Sequence, residues 1–281
     1  MTVPKTDFKI FLLAASFMLL ANTSSFAGGF PVRPKRLLLS PSVSYFYANS
    51  GWDSLRRRTP FANNGQFSSI GFSLYAEYGI SRRLTAVALL PYVRNTYEDN
   101  NSKTTSTGLT DLEIGLRYYV ANINYIYYFT VQGTYITPLY NDLTLGYREQ
   151  GAEIKLAFAG SGKVLGKNYY FTLENGVRQY FGPDGPTQDR YTGTFGLTLD
   201  RRFHHQLSVS LGGFYSSSNF TRFSPILAVN KNFAFNQASL TYGYTANKRL
   251  SFFATGGHFI NGRNTGYGTT ASFSVLVKPF R

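Results

Sequence analysis

The stretch Asp111-Leu112-Glu113-Ile114-Gly115-Leu116-Arg117-Tyr118-Tyr119-Val120 alternates without a break. Leu112, Ile114, Leu116, Tyr118 and Val120 share one face; Asp111, Glu113, Gly115, Arg117 and Tyr119 share the other. A period of two belongs to an extended strand with a different environment on each side. A soluble sandwich would turn the apolar face inward. A bilayer-crossing strand inverts the order, with apolar groups toward lipid and charges toward the interior of a closed sheet. With the opposite register, Asp111, Glu113 and Arg117 would face hydrocarbon, where a basic side chain near the midplane costs about 2–4 kcal/mol. The charges therefore point inward.

The same pattern recurs on both sides of this segment. Ile70, Phe72, Leu74, Ala76 and Tyr78 alternate with Gly71, Ser73, Tyr75 and Glu77. Ala152, Ile154, Leu156 and Phe158 oppose Glu153 and Lys155, and Tyr169, Phe171, Leu173 and Val177 oppose Thr172, Glu174 and Arg178. The segments are long, whereas soluble strands average about five or six residues. Large aromatics gather near their ends, as in interfacial girdles. Short connections (Ser81–Arg83, Ala121–Asn124, Ser161–Lys167, Arg201–His205, Ala246–Lys248) alternate with long ones (Asn49–Asn64, Tyr97–Thr107, Leu139–Glu149, Gly182–Asp189, Ile260–Gly266). That asymmetry is expected of an outer-membrane barrel with short periplasmic turns and longer outer loops.

Turn counting predicts an all-β, transmembrane antiparallel up-and-down β-barrel of about twelve strands over residues 37–281. The strands fall near 37–48, 66–79, 84–96, 109–120, 125–137, 150–160, 168–181, 190–201, 206–217, 233–245, 249–259 and 267–280. Both termini then lie in the periplasm, which an even count requires. Phe223–Val229 reads either as part of a long outer loop or as one of two extra strands, which would make fourteen.

Composition agrees. The 281 residues hold no Cys, 17% aromatics, 15% charged residues and 27 Gly. So many aromatics with so little charge exclude disorder, and the missing thiols exclude disulfides and thiolate metal sites. Helical membrane spans need about 20 apolar residues in a row, and the chain approaches this only at its N-terminus. There Lys5 and Lys9 precede the apolar run Ile10–Ala21, and Ser25-Phe26-Ala27 offers a small-x-small cleavage site. Residues 1–27 read as a signal peptide and 28–36 as a periplasmic N-terminal segment.

The net charge of +14 falls by one when Lys5, Lys9 and Asp7 leave with the signal. The excess sits in turns, at Arg82-Arg83, Lys163, Lys167, Arg201-Arg202 and Lys248-Arg249, where it meets lipid headgroups and water. Nucleic-acid binding would need a clustered basic surface with interleaved aromatics, and it is not expected here. Arg56-Arg57-Arg58, in the first outer loop, is the one concentrated patch. It is a candidate contact for lipopolysaccharide phosphates or an anionic solute, set against the plainer reading of a solvated loop.

Tyr78-Gly79-Ile80-Ser81-Arg82-Arg83-Leu84, running into Leu90-Pro91-Tyr92, resembles the strand–turn–strand signature of the outer-membrane family called "MetA-pathway of phenol degradation". Gly108-Leu109-Thr110-Asp111-Leu112 ending at Arg117-Tyr118 resembles its second hallmark, and Tyr242–Leu250 repeats the first. The resemblance implies an outer-membrane channel or transporter in a Gram-negative bacterium. The family name suggests small aromatic or hydrophobic solutes. The closing strand, Val275 to Phe280 before Arg281, resembles the signal read by barrel-assembly machinery, a partner during biogenesis.

The lumen-lining candidates are Tyr75, Glu77, Glu113, Arg117, Tyr119, Glu153, Lys155, Glu174 and Arg178, with Tyr128, Tyr170, Tyr180 and Phe214 on the same inward face. Opposed charges there either line a conducting path or form an internal salt-bridge plug, and about twelve strands leave room for both. The aromatics either stack a solute or fill volume. An outer-membrane lipid-modifying enzyme is the rival class, but it needs a Ser with a nearby His base. The three His are His204 and His205 in an inner turn and His258 near an outer end. A structural or adhesive barrel is the third reading. No catalytic residue, cofactor or metal ligand is expected.

Overall fold

In a computed structural model, residues 30, 32–200, 202, 204–219 and 230–279 are described. The expected signal peptide, the Phe223–Val229 segment and the Phe280-Arg281 end fall outside them. The strands are β1 (Leu37–Trp52), β2 (Arg58–Pro60), β3 (Gln66–Gly79), β4 (Leu84–Glu98), β5 (Lys103–Leu109), β6 (Asp111–Ile123) and β7 (Tyr127–Pro138). They continue with β8 (Gly151–Val164), β9 (Lys167–Tyr180), β10 (Thr187–Thr198), β11 (His205–Ser217), β12 (Phe233–Asn247), β13 (Leu250–Arg263) and β14 (Thr265–Val277).

Each strand pairs antiparallel with its neighbours, and β14 returns to β1 with Tyr45 opposite Ala271 and Leu39 opposite Val277. The sheet is therefore closed, which removes the unpaired edges an open sheet would carry into lipid. β5 pairs the far half of β4 and β6 its near half, so the two form one stave interrupted at Thr110. β2 only folds back on the tip of β1. The barrel has twelve staves.

The alternation sorts the side chains as expected. Ile70, Phe72, Ile114, Leu116, Ile154 and Leu156 are exposed on the outside. Glu77, Arg117, Glu153 and Arg178, two registers away or less, are buried. A hydrophobic belt outside a polar interior is a bilayer pattern, inverted from that of a soluble core. Ile114→Arg should place a charge against lipid at a cost of about 2–4 kcal/mol. Its refolded fraction in liposomes should drop sharply while Ile114→Leu refolds normally. Equal refolding of both would refute the facing assigned to β6.

Two connections differ from expectation. Ile260–Gly266 is no long loop, because β13 runs to Arg263 and β14 starts at Thr265, turning at Asn264 with φ 50°. Ile260 is instead an unpaired bulge, since Asn236 faces Asn261 and Gln237 faces Phe259. Tyr97–Thr107 is mostly an extension of the β4–β5 hairpin. At the short-turn end, Asn124-Tyr125 and Leu165-Gly166 all have positive φ, the geometry of two-residue hairpin turns.

Candidate functional site: the barrel interior

Inward side chains from strands that are not neighbours meet through the middle of the barrel, in two polar clusters at different depths. Nearer the short turns, Arg117 on β6 reaches across β4 to β3. Its Nη1 lies 2.8 Å from Glu77 Oε1, and its Nη2 donates to Tyr75 Oη at 3.0 Å. Tyr75 in turn donates to Glu77 at 2.5 Å. Arg117 Nε donates to Gln132 Oε1 at 3.0 Å, and the Gln132 amide continues to Thr134. Each of the three guanidinium nitrogens donates a hydrogen bond, as suits a buried fork.

Nearer the long loops, Arg178 on β9 is the hub. Its Nε lies 2.8 Å from Glu153 Oε2 and its Nη2 lies 2.7 Å from Glu113 Oε1, on β6 beyond β7 and β8. Nη1 donates to Tyr180 Oη at 3.3 Å, and Tyr180 donates to Asp111 at 3.0 Å. Arg190 adds a contact to Glu153 at 3.2 Å. Lys155 is held more loosely, 3.6 Å from Glu153 and 3.9 Å from Glu174.

The facing wall is aromatic. Phe67, Phe46, Phe259, Phe235 and Phe214 follow one another at centroid distances of 6.0, 5.2, 4.2 and 5.8 Å, with Phe233 stacked 5.2 Å from Phe214. The Phe46 ring crosses β14 over Gly268, where any Cβ would collide with it. Arg190 joins the two walls, its guanidinium 4.9 Å from the Phe214 centroid.

Both ends are narrowed. At the long-loop end the connection 139–150 turns inward and buries Tyr140 and Leu145. Tyr147 donates to the Asn230 carbonyl at 2.7 Å, and Glu149 pairs with Lys231 at 3.0 Å. Burial pushes the Tyr140 and Tyr147 hydroxyls well above the usual tyrosine range. At the other end Tyr119 donates to the Phe30 carbonyl at 2.7 Å, and the Phe30 ring meets Tyr128 edge-on at 5.8 Å.

Of the expected lining residues, Tyr75, Glu77 and Arg117 gather in one cluster, and Glu113, Glu153, Lys155, Glu174 and Arg178 in the other. Tyr119, next to Arg117 on the same face of β6, turns to the N-terminal segment and donates to the Phe30 carbonyl. Arg190 and Gln132 went unnoticed in the sequence; the parity of Thr192 and Thr194 with Arg190 was the available signal. Tyr140 and Tyr147 sit in a loop without periodicity, and nothing in the sequence marked them. In the first long loop Arg57 pairs with Asp53 at 2.9 Å, and Arg58 lies 3.6 Å over the Tyr267 ring. Arg56 is exposed. His258 contacts Thr269, and His205 contacts Tyr242. Among the described residues no cluster of His, Asp and Glu is arranged to hold a metal.

No protein-family model and no curated protein matches the chain. The family resemblance thus rests on its short motifs alone. Solved structures do match. The COG4313 outer membrane channel from Pseudomonas putida F1 is 12% identical with a TM-score of 0.67, over 91% of this chain and 100% of that one. The beta domain of the Bordetella autotransporter BrkA is 13% identical with a TM-score of 0.54, over 87% and 99% of the two chains. The NanC porin is 7% identical with a TM-score of 0.51, over 85% and 99%. At such identities the likeness is one of fold, and it joins the closed sheet and the apolar exterior. The chain has the fold of the outer-membrane β-barrels.

Proposed function

We propose that the protein is a channel in the outer membrane of a Gram-negative bacterium, carrying small solutes through the barrel interior. The observation that supports this most is the polar, ion-paired interior inside a closed sheet whose outside is apolar. The similarity of fold to an outer membrane channel and a porin agrees with it. The short turns then face the periplasm and the long loops the outside. The aromatic wall, with the family resemblance, favours aromatic or hydrophobic solutes. In this state the path is held nearly shut by paired charges and by the segments at both ends. Lipopolysaccharide surrounds the outer rim, where Arg56 is free of the contacts that hold Arg57 and Arg58.

The test is single-channel recording in planar bilayers with the heat-modifiable form, which migrates faster unheated than boiled. Discrete conductance steps are expected. A protein that inserts, shows the heat shift and conducts nothing would overturn the channel reading and leave a structural barrel.

A further inference from the structure

Most of the unpaired positive charge of this barrel lies at its short-turn end. Arg82 and Arg83 lie in the β3–β4 turn, Lys163 and Lys167 flank the β8–β9 turn, and Lys248 and Arg249 lie in the β12–β13 turn; all six are exposed. Exposed Arg202 lies in the β10–β11 connection, and Arg33, Lys35 and Lys278 lie at the β14–β1 seam. Among the described residues none of these cations is in an ion pair, whereas at the opposite end Asp53–Arg57, Glu98–Lys103 and Glu149–Lys231 are paired and only part of the positive charge, Arg56 and Arg148 among it, stands outside an ion pair. The one carboxylate among these short turns is Asp200. It accepts the backbone N–H groups of Arg202, His204 and His205, which hold it below the usual carboxylate range rather than leaving it for a cation.

The β6–β7 turn, which lacks cations, presents apolar groups instead. Tyr125 is 81% exposed and Leu165, on the neighbouring β8–β9 turn, is 98% exposed. The two turns are tied by a bond from the Ser161 N–H to the Ile126 carbonyl. Ile123, Ile126 and Val164 are exposed beside them, with Lys163 and Lys167 on either side. Above the ring, Tyr78, Tyr118, Tyr242 and Tyr244 face outward. Apolar tips, a tyrosine band and cations at five of the six connections of this end fit a headgroup layer that also surrounds the barrel. An acidic protein would call for a patch on one side.

From this, and resting on the outer-membrane reading above, we infer that the periplasmic rim binds an annulus of anionic phospholipid, phosphatidylglycerol or cardiolipin, through the headgroup phosphates. The refolded full-length barrel would be exchanged into equimolar phosphatidylglycerol and phosphatidylcholine, and the lipid retained after purification counted by mass spectrometry. Severalfold enrichment of phosphatidylglycerol is expected. It should fade at high salt, resist free inorganic phosphate, and be largely lost in R82Q/R83Q/K248Q/R249Q. Equal retention of the two lipids by the unaltered protein would overturn the inference. So would enrichment that survives in the quadruple variant, which would leave the ring to an acidic protein partner or to another role. Should the variant fail to fold, the salt dependence of the unaltered protein still decides. A protein without the heat shift would fail the outer-membrane reading instead, so the two failures are distinguishable.

Discussion

Glu153→Gln is expected to loosen the barrel and open it to ions. The carboxylate is buried and holds Arg178 at 2.8 Å, Arg190 at 3.2 Å and Lys155 at 3.6 Å. Removing one partner of a buried pair costs about 3–5 kcal/mol, because the remaining charge has lost its compensation. Here Arg178 keeps Glu113 at 2.7 Å, so the lower end of that range applies. The urea midpoint in liposomes should fall accordingly. The interior also loses a negative charge, so three cations are left facing fewer carboxylates and selectivity should move toward anions. Conductance and reversal potential read this directly. An unchanged midpoint together with unchanged selectivity would mean that Glu153 neither braces the interior nor faces the conducting path.

The alternation made the two faces of the barrel legible, because lipid outside and polar contacts inside impose opposite demands on neighbouring residues. It placed Glu77, Glu113, Arg117, Glu153 and Arg178 on the interior side. It could not name their partners. Glu113 and Arg117 share the inward face of one strand, four residues and about 13 Å apart at the usual rise, and they belong to different clusters. Glu113 meets Arg178, 65 residues on, and Arg117 meets Glu77, 40 residues back. Which inward groups meet depends on the stagger and tilt of staves around a closed sheet, a global quantity that no short window carries. The missed turn at Asn264 has a local cause. Asn and Gly mark bulges as readily as loops, so the composition of Ile260–Gly266 suited a loop while the pairing made it a bulge and one turning residue.

The Glu77–Arg117 pair allows a cleaner separation of bracing from conduction than the larger cluster does. Both side chains are buried, at 3% and 5% exposure, and they meet directly at 2.8 Å. Glu77→Gln should therefore cost about 3–5 kcal/mol by stranding the guanidinium, with Tyr75 and Gln132 offsetting part of it through their remaining hydrogen bonds. Arg117→Met strands Glu77 in the same way. The double variant E77Q/R117M removes both charges, so neither side chain is left as a buried charge without its counter-ion. Its loss should then be much smaller than the sum of the single losses, a coupling measurable in a double-mutant cycle by urea unfolding. Simple additivity would mean that the two groups do not act on each other across β4. If the double variant keeps its stability yet conducts more than the unaltered protein, this cluster serves to narrow the path. If it is stable and conducts no differently, the narrowing lies elsewhere, at Arg178 and Glu153 or at the segments carrying Tyr147 and Phe30. Bracing and closure would then be supplied by different residues of one interior.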